Sequence, residues 1–482
     1  MGYVHLAEFV ACLERAGELK RIKVETDSYL EISQITDRVC KSQGPALLFE
    51  RVKGFNMPVL TNTFGSYKRM SLALGVNDLE EMSKKIESLL EMGIPQGLIQ
   101  KLRLIPKYAR LMGYIPEVVK KGSCQEVIYQ NDASFGRLPI LQYWPKDGGR
   151  YLTATQVFTK NLEDGRRNVG MYRMQVYDDH RTGLHCHIHH DGYRVFRQYQ
   201  EAQTNMEVAI ALGGDPAVTY AASAPMPWGM DELLLAGFLR GKKVELVKCK
   251  TIDLEVPGNA EIILEGYVDP NDELIWEGPF GDHTGYYSPP DYYPVFHLTC
   301  ITHRQNPIFP AILVGKPPME DAFLGKATER IFLPLIRSQV PEIIDLNLPV
   351  EGGFHNLAIV SIKKEYPFHA RKVMHSLWGL GQLMFLKVII IVDEDVDVHN
   401  WSEVIWKVGN SIDPKRDICF ADGPVDVLDH ASYLPMVGSK MGIDATKKWR
   451  EEGYDRVWPE EARMSPEIVQ LVEKRWKEYG LG

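Results

Sequence analysis

Five of the fourteen histidines fall between positions 180 and 190. In the run His185-Cys186-His187-Ile188-His189-His190, strand alternation puts His185, His187 and His189 on one face. Imidazoles with a pKa near 6.5 serve as metal ligands, phosphate donors or acid–base groups, and spacing alone does not separate these roles. A second group is the acidic turn Trp276-Glu277-Gly278-Pro279-Phe280-Gly281-Asp282-His283-Thr284-Gly285, in which glycines and a proline fix a tight, exposed backbone around two carboxylates. A third is Asn168-Val169-Gly170-Met171-Tyr172-Arg173, an amide and a guanidinium at a strand start. Arg173 is costly in a core unless a carboxylate meets it, and Glu277 is the candidate.

Other chemistries are disfavoured. No strand is followed by the GxGxxG or GxxxxGK[ST] spacing of phosphate loops, and no GxSxG elbow occurs. A net charge of −9 argues against nucleic acid as a partner. The seven cysteines are scattered singly, which fits a reducing cytoplasm rather than a disulfide framework or zinc knuckle. The N-terminus does not have the pattern of a secretory signal, and no apolar stretch is long enough to span a bilayer. The pairs Lys242-Lys243 and Lys447-Lys448 read as solvated surface.

Three units must position these groups. Residues 5–17 and 30–42 have helical apolar spacing, and Leu19–Val24, Ala46–Phe49 and Pro58–Asn62 read as strands, giving a small α/β domain up to the linker near Lys120-Lys121-Gly122. From about 124 to 315 the texture is β, including Leu152–Thr159, Val169–Tyr177, His185–His189, Glu207–Leu212, Glu261–Tyr267 and Val295–Thr302, which implies a mostly antiparallel sheet or barrel. Beyond Gly315, Ala370–Leu386 reads as a helix that runs into Lys387–Val392, a buried parallel strand. Ser465-Pro466 opens a last helix whose stripe of Ile468, Leu471, Val472 and Trp476 needs cover from a partner subunit or from the protein's own core.

The segments NVGMYRMQV (168–176), HCHIHHDG (185–192) and EGPFGDHTGYY (277–287) together resemble the signature of the UbiD decarboxylases. The resemblance extends through AGFLRGKKVELVKCKTIDLEVPGNAEIILEGY (236–267), GKPPMEDAFLGKATERIFLPL (315–335) and GSKMGIDATKKW (438–449), so it covers essentially the whole chain in order. Within the family the sequence is most similar to the menaquinone-biosynthesis branch, which acts on a dihydroxynaphthoate. The implied fold is α+β. It has an N-terminal α/β domain (1–122), a central flavin-reductase-like split β-barrel (123–315), a C-terminal α/β domain (316–455) and a terminal dimerisation helix (456–482). A homodimer or homohexamer is expected.

The resemblance also implies chemistry. Asn168, His189 and Glu232 would bind Mn2+ or Mg2+ together with the phosphate of prenylated FMN, with Asp231 a rival ligand and K+ near Ala222-Ser223. Met171, Tyr172, Arg173, His185, Cys186, His187 and His190 would contact the flavin, and Lys387 would reach its phosphate. Cys186 departs from the pattern, since many relatives carry tryptophan there, and a roomier pocket is expected. Asp282 would be the proton donor, with Glu277 and Arg173 completing a carboxylate–guanidinium–carboxylate network. The implied reaction is reversible, non-oxidative decarboxylation of an aromatic acid, hydroxyaryl or dihydroxynaphthoic, through a covalent adduct with the cofactor. A separate prenyl-flavin synthase would supply that cofactor. The alternatives are an aryl carboxylase or decarboxylase of aromatic degradation, and a non-catalytic flavin-binding assembly protein.

Overall fold

Leu6, Phe9, Val10 and Leu13 share one buried face, and that stripe makes Leu6–Arg15 a helix, opened by the His5 ring accepting from Glu8 N. Gly17, in the left-handed region at φ +73°, turns the chain into the strand Leu19–Ile22. The computed structural model describes residues 2–90, 112–187 and 190–481. In the first unit the strands run Leu19–Ile22, Ala46–Phe49, Val59–Thr61 and then Phe309–Pro310, so a segment far along the chain returns to complete this sheet.

The central sheet has seven strands, all pairing antiparallel. Its order is Arg181–Gly183, Val295–His303, Ile262–Val268, Met206–Leu212, Thr155–Lys160 and Arg167–Gly170, with Val127–Tyr129 added beside Val295–His303. Among the described residues these pairings form an open path rather than a closed barrel.

The strand predicted over His185–His189 does not form over its described residues. Residues 184–187 are irregular, because the ladder from Gly183↔Val295 next meets Pro294, which has no N–H to donate. His189 lies outside the described residues.

The C-terminal sheet runs Ile343–Asn347, Leu357–Ile362, Val388–Asp393, Val437–Asp444 and Ile418–Pro424. Val388–Asp393 is parallel to both neighbours, as its unbroken apolar run predicts. The helix expected over Ala370–Leu386 stops at Trp378. Gly379 and Gly381 break it, and a 3-10 turn, Gly381–Phe385, follows. A long helix, Glu320–Gln339, joins the units: its Arg330 reaches Glu80 at 3.1 Å and Asp345 at 2.8 Å. The terminal helix Pro466–Arg475 buries none of its residues, and Ile468, Leu471 and Trp476 stand exposed. No helix among the described residues is long and apolar enough to cross a membrane, and all seven cysteines are free.

Candidate active site

Arg173 lies just past the strand Arg167–Gly170, where the backbone bends over the Tyr172 ring, so close that a Cβ on Gly170 would sit 2.2 Å from its hydroxyl. Its Nε and Nη2 donate to the two oxygens of Glu277 at 3.0 and 3.2 Å, Nη2 also donates to Ser288 Oγ at 3.0 Å, and Nη1 donates to Asp282 Oδ2. Four of the five guanidinium N–H groups are thereby committed, leaving one on Nη1. The Phe280 ring lies 4.8 Å from the guanidinium carbon.

The acidic turn is not the exposed loop expected. Glu277 is fully buried and Asp282 is 8% exposed. Gly278 at φ +99° permits the turn, and a Cβ on Gly281 would meet Trp144 at 2.2 Å, so the turn is pressed inward.

The charges follow from this packing. Burial acts to raise the pKa of Glu277, but the hydrogen bond from His185 Nδ1 at 2.9 Å and the charge of Arg173 overcome it and bring it down to about 2. Burial likewise opposes ionisation of Asp282, yet the hydrogen bond from His283 and the charge of Arg173 hold it well below the usual carboxylate range. In the resting protein Asp282 is therefore a carboxylate, without the proton that the role of acid requires.

The described histidines of the run supply a wall of rings, and residues 185–187 are not in a strand. His185 and His187 have centroids 4.8 Å apart, His187 and His190 5.5 Å, and Tyr293 lies 4.2 Å from His185. Burial, then the neighbouring His185 and His190, lowers the His187 pKa to about 3, so that ring is neutral. Tyr172 is buried, its hydroxyl accepting from Gly192 N at 3.2 Å, while Met171 packs on the core. Cys186 sits in a core cluster with Tyr172 and Val195, where burial pushes its thiol pKa up.

Glu232, at a helix start, reaches the strand that carries Asn168: its Oε2 accepts from Val169 N at 3.0 Å, while Asn168 Nδ2 donates to Thr159 Oγ1 at 3.2 Å. Burial, with Asp231 and Asp191 nearby, pushes the Glu232 pKa up to about 7. Among the described residues no lysine or arginine pairs with it. Asp231, the rival, is otherwise engaged: it caps the helix Glu232–Arg240 and binds Arg167 at 2.8 Å. Among the described residues no three His, Cys, Asp or Glu side chains gather as a metal site.

Three family domains match the chain in order, described as the N-terminal domain (residues 10–89), the Rift-related domain (117–317) and the C-terminal domain (322–445) of 3-octaprenyl-4-hydroxybenzoate carboxy-lyase, UbiD. The chain belongs to the UbiD family. It is a carboxy-lyase of the UbiD type.

An uncharacterized protein of Archaeoglobus fulgidus is 52% identical over 99% of both chains, and one of Aquifex aeolicus is 49% identical over the full length of both. Among solved structures, the UbiD-class enzyme HmfF from Pelotomaculum thermopropionicum, in complex with FMN, is similar at 30% identity, with a TM-score of 0.80 over 96% of this chain and 98% of that one. Vanillic acid decarboxylase of Sedimentibacter hydroxybenzoicus in closed form is similar at 28% identity, with a TM-score of 0.86 over 100% and 99%.

Most of the expected UbiD site residues fall into two groups. Arg173, Glu277, Asp282, His185, His187 and His190 share one neighbourhood, and Asn168 with Glu232 forms the second. A wall of rings fits a flat heteroaromatic ligand, and a buried carboxylate without a counter-charge, beside an amide, fits a divalent cation. Lys387 stands just before Val388–Asp393, the central strand of the C-terminal sheet, and donates to Asp429 Oδ1 at 2.8 Å. Ser223, near the expected K+ position, donates to Tyr220 O at 2.7 Å.

Ser288, Tyr293, His283 and His355 belong to the neighbourhood although sequence reasoning gave them no role. His283 was within reach, since it follows Asp282. His355 carries no local signal at all.

Proposed function

We propose that this chain removes CO2, reversibly and without net oxidation, from a hydroxyaryl or dihydroxynaphthoic acid in quinone biosynthesis, using prenylated FMN and Mn2+ or Mg2+. The observation that carries this reading is Arg173, clamped by two buried carboxylates yet keeping one N–H on Nη1 for the carboxylate of a substrate. The bound cofactor would supply an electron sink for the pair left when CO2 departs from an sp2 carbon.

The rest is work for this chain's own residues. Glu277 fixes the orientation of Arg173, Arg173 orients the acid, the His185–His187–His190 wall with Tyr293 excludes water, and Asp282 passes a proton to the carbon that lost CO2. Asn168 and Glu232, with His189, would hold the cation and through it the cofactor phosphate. The short Asp282, together with PPMEDAFLGKATERIF (317–332) and HASYLPMVGSKMGIDATKKW (430–449), resembles the quinone-biosynthesis members and supports a hydroxyaryl substrate.

The test is protein made alongside a prenyl-flavin synthase, screened for CO2 release from aromatic acids that include dihydroxynaphthoate and 4-hydroxybenzoate derivatives. Release from hydroxyaryl acids is expected. Silence across the panel would end the reading, and turnover confined to acids lacking a ring hydroxyl would end its substrate class.

Two further outcomes are expected. Mn2+ added to cofactor-free protein at about 100 times its dissociation constant raises stability by about 2.7 kcal/mol, read as an increase in Tm. Glu232→Gln abolishes that increase; a Tm rise that survives the substitution rules Glu232 out as a ligand. We also place the terminal helix at an oligomer interface. Leu471→Asp is expected to shift the mass measured by light scattering from dimer or hexamer to monomer, and an unchanged mass would refute that placement.

A further inference from the structure

Asp282 has both oxygens occupied. Oδ2 meets Arg173, while Oδ1 accepts from His283 N at 2.8 Å and from His283 Nδ1 at 3.0 Å. On the far side of the same ring, His283 Nε2 lies 2.6 Å from His355 Nε2, with the two rings at 74°.

The link joins two units: His283 lies within the stretch matched by the Rift-related domain and His355 within that matched by the C-terminal domain. The chain bends sharply to make it. Gly353 at φ +58° and Phe354 at φ +51° are successive left-handed residues, a conformation that strains a bulky side chain. Phe354 stacks on His283 at 5.0 Å, and Gly325 leaves room for it, since a Cβ there would meet the Phe354 ring at 2.8 Å. His355 Nδ1 is buried with no hydrogen-bond partner among the described residues.

Proton counting restricts this arrangement. A carboxylate only accepts, so His283 Nδ1 carries hydrogen, and only one proton fits between the two Nε2 atoms. In one state His355 donates Nε2–H to neutral His283. In the other, cationic His283 donates to His355, whose own hydrogen is then on Nδ1. A proton taken up at His355 Nδ1 thus passes one forward at Nε2 and another forward to Asp282 Oδ1.

We propose that His283 and His355 form a proton wire that reloads Asp282 in each turnover from the boundary between the central and C-terminal units. The inference rests on the carboxy-lyase reading above, because that reaction consumes a proton inside a buried site. Cationic His283 gives its Nδ1 proton to Asp282, the carbon–CO2 bond breaks, and its electron pair takes that proton from Asp282. Both rings then move their remaining hydrogen to the other nitrogen, His283 from Nε2 to Nδ1 and His355 from Nδ1 to Nε2, after which His355 takes a proton from water at Nδ1 and passes its Nε2 proton to His283; the hydroxide left behind joins the released CO2 as bicarbonate. Atoms and charge balance with no added reagent.

Electrostatics agree. Arg173, Glu277 and Asp282 alone sum to −1, and a substrate carboxylate would make −2 in a buried site. Burial disfavours a charged His283, but the Asp282 hydrogen bond and the carboxylates of Asp282, Asp321 and Asp426 raise its pKa above the usual value. Burial and then the charge on His283 bring His355 down to about 4, with Asp426, Asp282 and Asp429 opposing. Burial pushes Asp321 up to about 7, with His283 lowering it and Asp282 raising it. The resting proton therefore sits on His283, and the Asp282–His283 pair is the acid. Asp282 alone is not.

The test uses His355→Ala and His355→Gln in the cofactor-loaded enzyme. Glutamine keeps an N–H for His283 but cannot pass a proton through itself, so both variants are expected to lose about 10²-fold in kcat. KM should stay within about threefold, since no uniform binding contact is removed. Added imidazole should restore turnover to His355→Ala only. Full activity in His355→Gln, wild-type activity in His355→Ala, a rise in KM at constant kcat, or a loss that imidazole does not rescue would each overturn the wire.

A second readout needs no turnover. In cofactor-free protein labelled with 15N-histidine, the two rings should titrate as one shared proton, and Asp282→Asn should lower the His283 midpoint; independent titrations would overturn the proposal. Absence of CO2 release by the unaltered enzyme would count against the carboxy-lyase reading alone and leave the wire to this titration.

Discussion

Arg173→Ala is expected to lose turnover by about 10³-fold and to melt well below the parent protein. Two carboxylates lean on this guanidinium, and Glu277, fully buried, would keep only His185. Removing one partner of a buried pair leaves the other uncompensated, at a cost of about 3–5 kcal/mol. Arg173→Lys is expected to fare little better, because an ammonium cannot bridge both oxygens of Glu277 while also meeting Asp282 and Ser288.

The pH dependence has a definite sign. The Glu277 pKa falls from 4.5 to about 2 on folding, so its stabilisation is complete above about pH 4.5 and is lost as the pH falls toward 2. That shift corresponds to on the order of 3 kcal/mol. The Tm difference between the parent and Arg173→Ala should therefore be full at neutral pH and shrink below about pH 4.5. Differential scanning calorimetry from pH 7 to 3 with steady-state kinetics checks both parts; an active Arg173→Lys, or a Tm gap independent of pH, would refute the account.

What the sequence disclosed follows from how local each signal is. Helical spacing in Leu6–Arg15 and the unbroken apolar run at Val388–Asp393 are encoded within their own windows, and both elements form as predicted. The Arg173–Glu277 contact was legible for a different reason: a buried guanidinium must find a carboxylate. Alternation misled over residues 185–187 because a proline at position 294, over a hundred residues along, ends the ladder that such a strand needs. The acidic turn has the composition of a solvated loop, yet Trp144 and Pro290 press on its glycines and bury its carboxylates.

The same limit applies to lysines. Lys447-Lys448 reads as surface, yet Lys448 is buried and held by Asp444 at 2.9 Å. Lys387 finds Asp429, which no periodicity associates with it. His355 enters the site only through a backbone bend at Gly353 and Phe354, so no motif announces it.

Asp282→Asn separates the donor's charge from its shape, and it is expected to reduce kcat by about 10²–10⁴-fold. In the parent, both neighbours donate to Asp282: Arg173 Nη1 to one oxygen, and the His283 backbone and ring to the other. Asparagine has one acceptor and one donor where two acceptors are required, so either Arg173 loses its partner or His283 must turn its Nδ1 into an acceptor. The second choice strips the Nδ1 hydrogen, leaves a neutral His283 with its one hydrogen on Nε2, and removes the charge that kept His283 protonated.

The pH consequence again has one sign. A histidine whose folded pKa lies above its ordinary 6.5 stabilises the protein fully below that value and loses this contribution as the pH rises through the elevated one. Asp282→Asn should erase that alkaline-side loss along with the activity. Asp282→Glu keeps the charge and, if the extra methylene is accommodated, should retain more turnover than asparagine does. An asparagine variant as fast as the parent would remove Asp282 from proton transfer, and with it the reason for His283 to stand between Asp282 and His355.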